Sequence, residues 1–131
     1  MTNSEVERKA IEHVIEQERA AGRQPEDVHR SRAHPYDIWS PPRKIEVKAF
    51  GGSARSAQVP IEERQAQAAR EDPDNYYIYV VDNVARETKP IEIRKLHGAL
   101  LQEMLDRAKP SPTYWPAFYA RDYDDMDEGV D

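Results

Sequence analysis

Apolar residues recur along the chain at two different spacings, and the spacing distinguishes helices from strands. Apolar positions three and four residues apart predict an amphipathic helix over residues 4–22, which Ser4 caps. The other patterns predict strands over residues 26–30, 35–40, 43–50, 75–84 and 89–96, and helices over residues 61–71 and 98–108. The order is helix, three strands, helix and strand, followed by an extra strand and helix. It predicts an α/β fold in which a small mixed β-sheet is flanked by helices.

Four of the strand patterns also predict positions in this sheet. Residues 35–40 and 43–50 flank a proline pair, so they predict a β-hairpin. Residues 75–84 form a continuous run of β-branched and aromatic residues, which is typical of a central strand covered on both faces. Residues 89–96 alternate between apolar and polar side chains, which favours an edge strand.

The length of 131 residues fits one compact domain, which we expect to occupy residues 1–108. The remaining residues, 109–131, predict an arm and a tail. Prolines and aromatic residues over 109–123 predict an extended arm that packs on the domain or on a second subunit. Residues 120–131 hold one arginine and six carboxylates, so this end carries five of the six net negative charges and predicts a disordered acidic tail.

Charge and composition narrow the function classes. Because the acidic charge is concentrated at the end, the rest of the chain is nearly neutral and can hold a basic groove for nucleic acid. Basic residues cluster in its first half: Arg23, Arg30, Arg32, Arg43, Lys44, Arg55 and Arg64. The absence of cysteine excludes disulfides, thiolate zinc sites and cysteine nucleophiles. No apolar run is long enough to span a membrane and no leader is apparent, so we expect a cytoplasmic protein without a membrane partner.

Candidate chemistry lies in the predicted hairpin. Glu46 and Lys48 alternate with apolar residues on one strand and therefore share a face, while Asp37 lies on the strand before it. If the hairpin register brings Asp37 beside Glu46, the two carboxylates repel unless a cation is shared, and Mg²⁺ is the natural occupant. Lys48 could then orient an attacking water or neutralise developing charge. The same pattern is also common on solvated strand faces.

A further carboxylate, Glu18, is a candidate on the first helix. It follows Ile11 and Val14 by steps of three and four residues, so it lies on their apolar face. A carboxylate there is costly unless it is paired or coordinated. Glu18 therefore either assists the site or pairs with an arginine near the helix end.

The motifs "YDIWS", "RKIEVKA" and "NYYIYVVDNV", in this order after the first helix, resemble the Protein NO VEIN C-terminal domain family, over roughly residues 5–84. That family in turn resembles the PD-(D/E)XK nucleases, whose restriction endonuclease-like core has the same order of elements. The resemblance implies a nuclease site, in which Asp37 and Glu46 bind the metal with the backbone carbonyl of Val47, Lys48 activates water and Glu18 assists.

The resemblance also implies a cofactor and partners. The cofactor is Mg²⁺, for which Mn²⁺ can substitute, and the substrate is nucleic acid, with DNA expected. A homodimer would let two sites cut two strands, and the helicases and restriction-type proteins that often carry the domain imply a protein partner in a defence or repair system.

Two other functions stay open from the sequence. The domain could be a catalytically silent nuclease-fold module for binding or assembly, or an interaction protein whose acidic tail engages a basic partner. Gln65 is a candidate phosphate or water contact, and His29 and His34 could approach a substrate phosphate or serve as surface and capping residues.

Overall fold

The computed structural model describes residues 1–111, 116–117 and 119–126. Three helices lie before residue 108: α1 (Asn3–Ala20), α2 (Glu63–Glu71) and α3 (Gly98–Arg107). The strands are β1 (Glu26–Asp27), β2 (Ile38–Ser40), β3 (Arg43–Ala49), β4 (Tyr76–Asp82) and β5 (Glu92–His97). This order confirms the predicted α/β fold.

The five strands form one mixed sheet in the order β1-β2-β3-β4-β5. Strands β3 and β4 are parallel, joined by α2 as the crossover helix, and the other neighbours are antiparallel. The predicted hairpin of β2 and β3 is confirmed. Strand β4 pairs on both sides and β5 on one side, as their sequence patterns predict.

Apolar residues cover the sheet on both faces. On one face, Ile11 and Val14 of α1 pack against a cluster that includes Ile45 and Val47. On the other face, α2 and α3 pack on the alternate residues of β4, with Leu101 fully buried. Burying a side chain of this size contributes about 1.5–3 kcal/mol. The continuous apolar sequence of β4 follows from its cover on both faces.

The first two strands are shorter than predicted. Strand β1 ends at Asp27, because the chain turns there: the Ser31 N–H donates to the Val28 carbonyl over 2.9 Å. Residues 28–37 form a loop, so Asp37 lies directly before β2 instead of inside it. Because β2 begins at Ile38, Asp37 lies directly beside the first paired residue of the strand, and its side chain can contact other groups.

The C-terminal segment differs in part from the prediction. A short helix, α4 (Ala120–Asp125), lies where a disordered tail is predicted. Residues 109–111, 116–117 and 119–126 are exposed, and packing of this arm on a second subunit stays a prediction. The other residues of the predicted arm and tail, 112–115, 118 and 127–131, lie outside the described residues. Within the described part of the chain, no helix is long and apolar enough to cross a membrane.

Candidate active site

The hairpin brings Asp37 and Glu46 together. Ile38 pairs with Ile45 in the antiparallel register, so Asp37 lies opposite Glu46. The backbone of Asp37 is fixed on both sides, because its N–H donates to the Ile45 carbonyl over 2.9 Å and its carbonyl accepts from the Val28 N–H over 2.8 Å. The register that the candidate site requires is therefore present.

The Asp37 side chain continues the pairing beyond the start of β2. Its Oδ2 accepts a hydrogen bond from the Val47 N–H over 2.8 Å. No residue of β2 lies opposite Val47, since the ladder ends at the pair of Ile38 and Ile45. Within a strand the N–H and carbonyl of one residue point to the same side, so the Val47 carbonyl also faces the Asp37 side of β3. This orientation fits the predicted role of that carbonyl.

Glu46 is buried next to a second carboxylate. Only 6% of its surface is exposed. Burial, and then the negative charge of Asp37, raise the pKa of Glu46 to about 8, although the Lys48 ammonium offsets part of the effect. Two carboxylates so placed favour sharing a proton or a cation.

Lys48 and Gln65 both contact Glu46. The Lys48 Nζ lies 3.2 Å from the Glu46 Oε2, and the Gln65 Nε2 donates to the same oxygen over 2.7 Å. The Gln65 Oε1 accepts from Lys48 Nζ over 3.3 Å and from the Glu62 backbone N–H over 3.1 Å. Gln65, predicted as a phosphate or water contact, therefore fixes Glu46 and Lys48 relative to each other and to the start of α2.

The donor atoms suit Mg²⁺ better than a softer ion. Asp37 and Glu46 supply carboxylate oxygens, and the Val47 carbonyl faces the same side. Mg²⁺ usually takes one or two protein carboxylates and keeps several waters. Within the described part of the chain, no group of three or more His, Cys, Asp or Glu side chains could hold a metal ion. A zinc-type cage is therefore not formed by these residues, whereas two carboxylates and waters suffice for Mg²⁺.

Two cavities meet at the carboxylates. The smaller has a volume of about 270 Å³ and the larger about 510 Å³, and Asp37 and Glu46 line both. Glu7 of α1 lines both as well. Glu7 was not predicted from the sequence pattern, although it lies four residues before Ile11 and so on the same helix face.

The structure does not bring Glu18 to Asp37 and Glu46. Glu18 is fully buried at the far end of α1, where Arg23 Nε and Nη2 donate to its two oxygens over 2.6 and 2.7 Å. The Tyr79 hydroxyl donates to Glu18 over 3.0 Å. The alternative prediction, pairing with an arginine, is confirmed.

Electrostatics are consistent with a structural role for Glu18. Burial alone raises the pKa of its carboxyl, but the hydrogen bonds from Arg23 and Tyr79 outweigh burial and hold the pKa below its ordinary value. Arg43 in turn donates to the Tyr79 hydroxyl over 2.7 Å. This network joins the end of α1 to β3 and β4 on the face opposite Glu46.

His29 and His34 line the smaller cavity, as does Arg64 of α2. His29 already has a partner, since its backbone N–H donates to Asp27 Oδ1 over 3.0 Å and its ring Nδ1 contacts the same oxygen. His34 packs beside the ring of Tyr36. The histidines therefore shape the wall of the cavity near the carboxylates.

Comparison with known proteins gave one match. A family model described as Protein NO VEIN, C-terminal matches residues 6–95. No curated protein and no solved structure matches the chain. The matched range covers more than half of the chain and contains the residues of the site: Glu7, Asp37, Glu46, Val47, Lys48 and Gln65.

Proposed function

This chain belongs to the Protein NO VEIN, C-terminal family, and we propose that it hydrolyses phosphodiester bonds of nucleic acid with Mg²⁺, DNA being the expected substrate. The proposal also draws on the resemblance of its motifs to PD-(D/E)XK nucleases.

One observation carries the proposal. Asp37, directly before β2, and Glu46, on β3, lie at one place, and burial together with the negative charge of Asp37 raises the pKa of Glu46 to about 8. Strong perturbation of a carboxyl pKa in a cleft is typical of functional sites. Lys48 lies within 3.2 Å of the same carboxylate and supplies the cation that a reaction with developing negative charge needs.

The roles of the residues follow from their positions. Asp37 and Glu46 would hold Mg²⁺, which lowers the pKa of a bound water and stabilises charge on the phosphoryl oxygens. The Lys48 Nζ would orient the attacking water or neutralise the negative charge that forms at phosphorus. Gln65 holds both Glu46 and Lys48, so it is a positioning residue.

The test is cleavage of supercoiled, linear and single-stranded DNA by the purified protein with Mg²⁺ or Mn²⁺. We expect metal-dependent cleavage, and we expect Asp37→Asn and Lys48→Ala each to reduce it by about 10²-fold or more, as removal of a charge-stabilising group does.

Lys44→Ala is the matched control, because Lys44 lies on the same face of β3 but pairs with Asp72 over 3.1 Å. It should leave cleavage within about twofold, since surface pairs contribute little. Cleavage that is equally sensitive to Lys44 and Lys48, or insensitive to both, would contradict the proposed site.

A second candidate function is a catalytically silent module that binds nucleic acid or a protein. It is favoured by the contacts of Glu46, whose Oε2 already accepts from Gln65 and pairs with Lys48. In this case the protein would bind its partner without turnover, and Asp37→Asn would leave binding unchanged.

A further inference from the structure

One wall of the smaller cavity is basic. The loop between β1 and β2 and the first turn of α2 place three arginines around the cavity that Asp37 and Glu46 line. These arginines are Arg30, Arg32 and Arg64. These positive groups share the cavity with four carboxylates, Glu7, Asp37, Glu46 and Glu62, so groups that could hold a cation and groups that could hold an anion lie in one cavity.

Hydrogen bonds fix the loop that carries this wall. The Val28 N–H donates to the Asp37 carbonyl across the ends of the loop, over 2.8 Å, and Ser31 closes a turn onto Val28. The hydroxyl of the buried Tyr76 donates to the Pro35 carbonyl over 2.6 Å. These hydrogen bonds restrict the backbone that carries the cations, which lowers the entropy lost when the cations bind a ligand.

Helix α2 is tied to the same loop. The Arg64 Nη2 donates to the Arg32 carbonyl over 2.8 Å, so one guanidinium supports the loop and also lines the cavity. Arg64 precedes Gln65, which contacts Glu46 over 2.7 Å. The basic wall and the carboxylates are thus linked through the first turn of one helix.

The arginines of this wall are not neutralised by the neighbouring acids. Among the residues that the structure describes, Arg30, Arg32 and Arg64 form no ion pair, although carboxylates line the same cavity. Arg70, on the same helix as Arg64, pairs with Asp106 over 2.7 Å. The three exposed guanidinium groups therefore retain their capacity to bind an external anion.

We propose that Arg30, Arg32 and Arg64 bind the phosphates of a nucleic-acid strand and direct it past Asp37 and Glu46. The inference rests on the proposed function, because it assigns the substrate-binding wall of the same site. Guanidinium groups match the oxygens of phosphates and donate charge-assisted hydrogen bonds to them. A cavity of about 270 Å³ surrounded by charged side chains suits the sugar-phosphate backbone of a strand.

The experiment measures binding by fluorescence anisotropy, with the full chain, a labelled single-stranded DNA and its duplex, in Ca²⁺ at several salt concentrations. The variants are Arg30→Ala, Arg32→Ala and Arg64→Ala, with Arg70→Ala as the matched loss of one positive charge. We expect each of the three to raise Kd about five- to tenfold and to lower the salt slope by about 0.7–0.9. Arg70→Ala should change neither, and melting curves verify that each variant is folded.

The outcomes separate this inference from the proposed function. No binding by the unmodified protein, or equal Kd and salt slope in all four variants, would overturn the basic wall as a strand-binding site. Inorganic phosphate is also tested as a competitor of the strand. Variants that lose the binding of inorganic phosphate but keep the Kd for the strand would also overturn the proposal. Arginine-dependent strand binding without any cleavage would support the wall and refute the hydrolase, whereas cleavage with unchanged KM in the three variants would refute the wall alone.

Discussion

At Glu46, burial and a neighbouring carboxylate act in the same direction on one side chain. The carboxyl has a pKa of about 8 instead of its ordinary 4.5. Below the ordinary value it is protonated in both the folded and the unfolded chain. Between the two values only the unfolded chain releases the proton, so folding becomes less favourable as the pH rises.

We therefore predict that Glu46→Gln flattens the pH dependence of stability. Without divalent ions, ionisation of Glu46 should lower the free energy of unfolding of the unmodified protein by at most about 5 kcal/mol between pH 4.5 and 8. The variant should not show this decrease. Urea unfolding at pH 5, 6.5 and 8 measures the difference, with Glu16→Gln on the exposed side of α1 as the control. If the free energy of unfolding changes with pH in the same way for Glu46→Gln and for the unmodified protein, the pKa of Glu46 is not raised.

Part of the site could be predicted from the residue pattern alone. The alternation along β3 identifies Glu46 and Lys48, and the short distance in sequence to Asp37 allows a hairpin to join them. The role of Gln65 could not be derived in this way, because it depends on the crossover that places the first turn of α2 beside Glu46. An uncharged side chain gives no electrostatic signal in a sequence.

Helix α1 presents two carboxylates from one face at its two ends. Glu7 lies at the cavities and Glu18 lies in the network with Arg23. Periodicity shows that both residues share a face with Ile11, but the direction in which the helix crosses the sheet decides which of them lines the cavities. That direction is a property of the tertiary structure, so periodicity alone could not show that Glu7 lines the cavities and that Glu18 does not.

At the end of α1, we predict that Arg23→Met destabilises the protein by about 2–3 kcal/mol, because it leaves the buried Glu18 without its cation. The control Arg19→Met removes an exposed arginine from the last turn of α1 and should change the free energy of unfolding by no more than about 0.5 kcal/mol. Denaturant unfolding at pH 7 compares them. An Arg23→Met variant as stable as the control would mean that Tyr79 alone satisfies Glu18.

Strand lengths were the least predictable feature of the elements. The pattern of residues 26–30 resembles a strand, yet β1 has two residues, because the hydrogen bond between Ser31 and Val28 turns the chain early. The central run of β4 was predicted well, since cover on both faces requires apolar side chains throughout. Local hydrogen bonding decides the ends of an element, whereas burial decides its middle.

At the scale of the whole molecule, the buried apolar residues in the part of the chain that the structure describes run from Ala10 to Leu101. Helix α4 has no buried residue, and the sheet with its helices is complete by Arg107. The described part of the C-terminal segment therefore adds little apolar burial to the domain. The domain bounds of residues 1–108 stay a prediction.

We predict that a chain ending at Ala108 folds with a Tm within about 4 °C of the full chain, because it keeps every buried apolar residue in the described part of the chain. Thermal unfolding followed by circular dichroism measures the shift, and gel filtration of both chains tests whether the segment after residue 108 holds two subunits together. A much lower Tm would show that this segment packs on the domain, and a change from dimer to monomer would assign it to a subunit interface.

The hydrogen bond from the Val47 amide to the Asp37 carboxylate gives the site its own spectroscopic reporter. The nitrogen and proton chemical shifts of an amide depend on its hydrogen-bond acceptor. The Val47 cross-peak should therefore move when an ion or a phosphate binds at the Asp37 carboxylate. The exchange rate of the same proton with solvent reports how often the contact opens. Occupancy of the site can thus be followed at one backbone position, in a protein that needs neither turnover nor a label on its ligand.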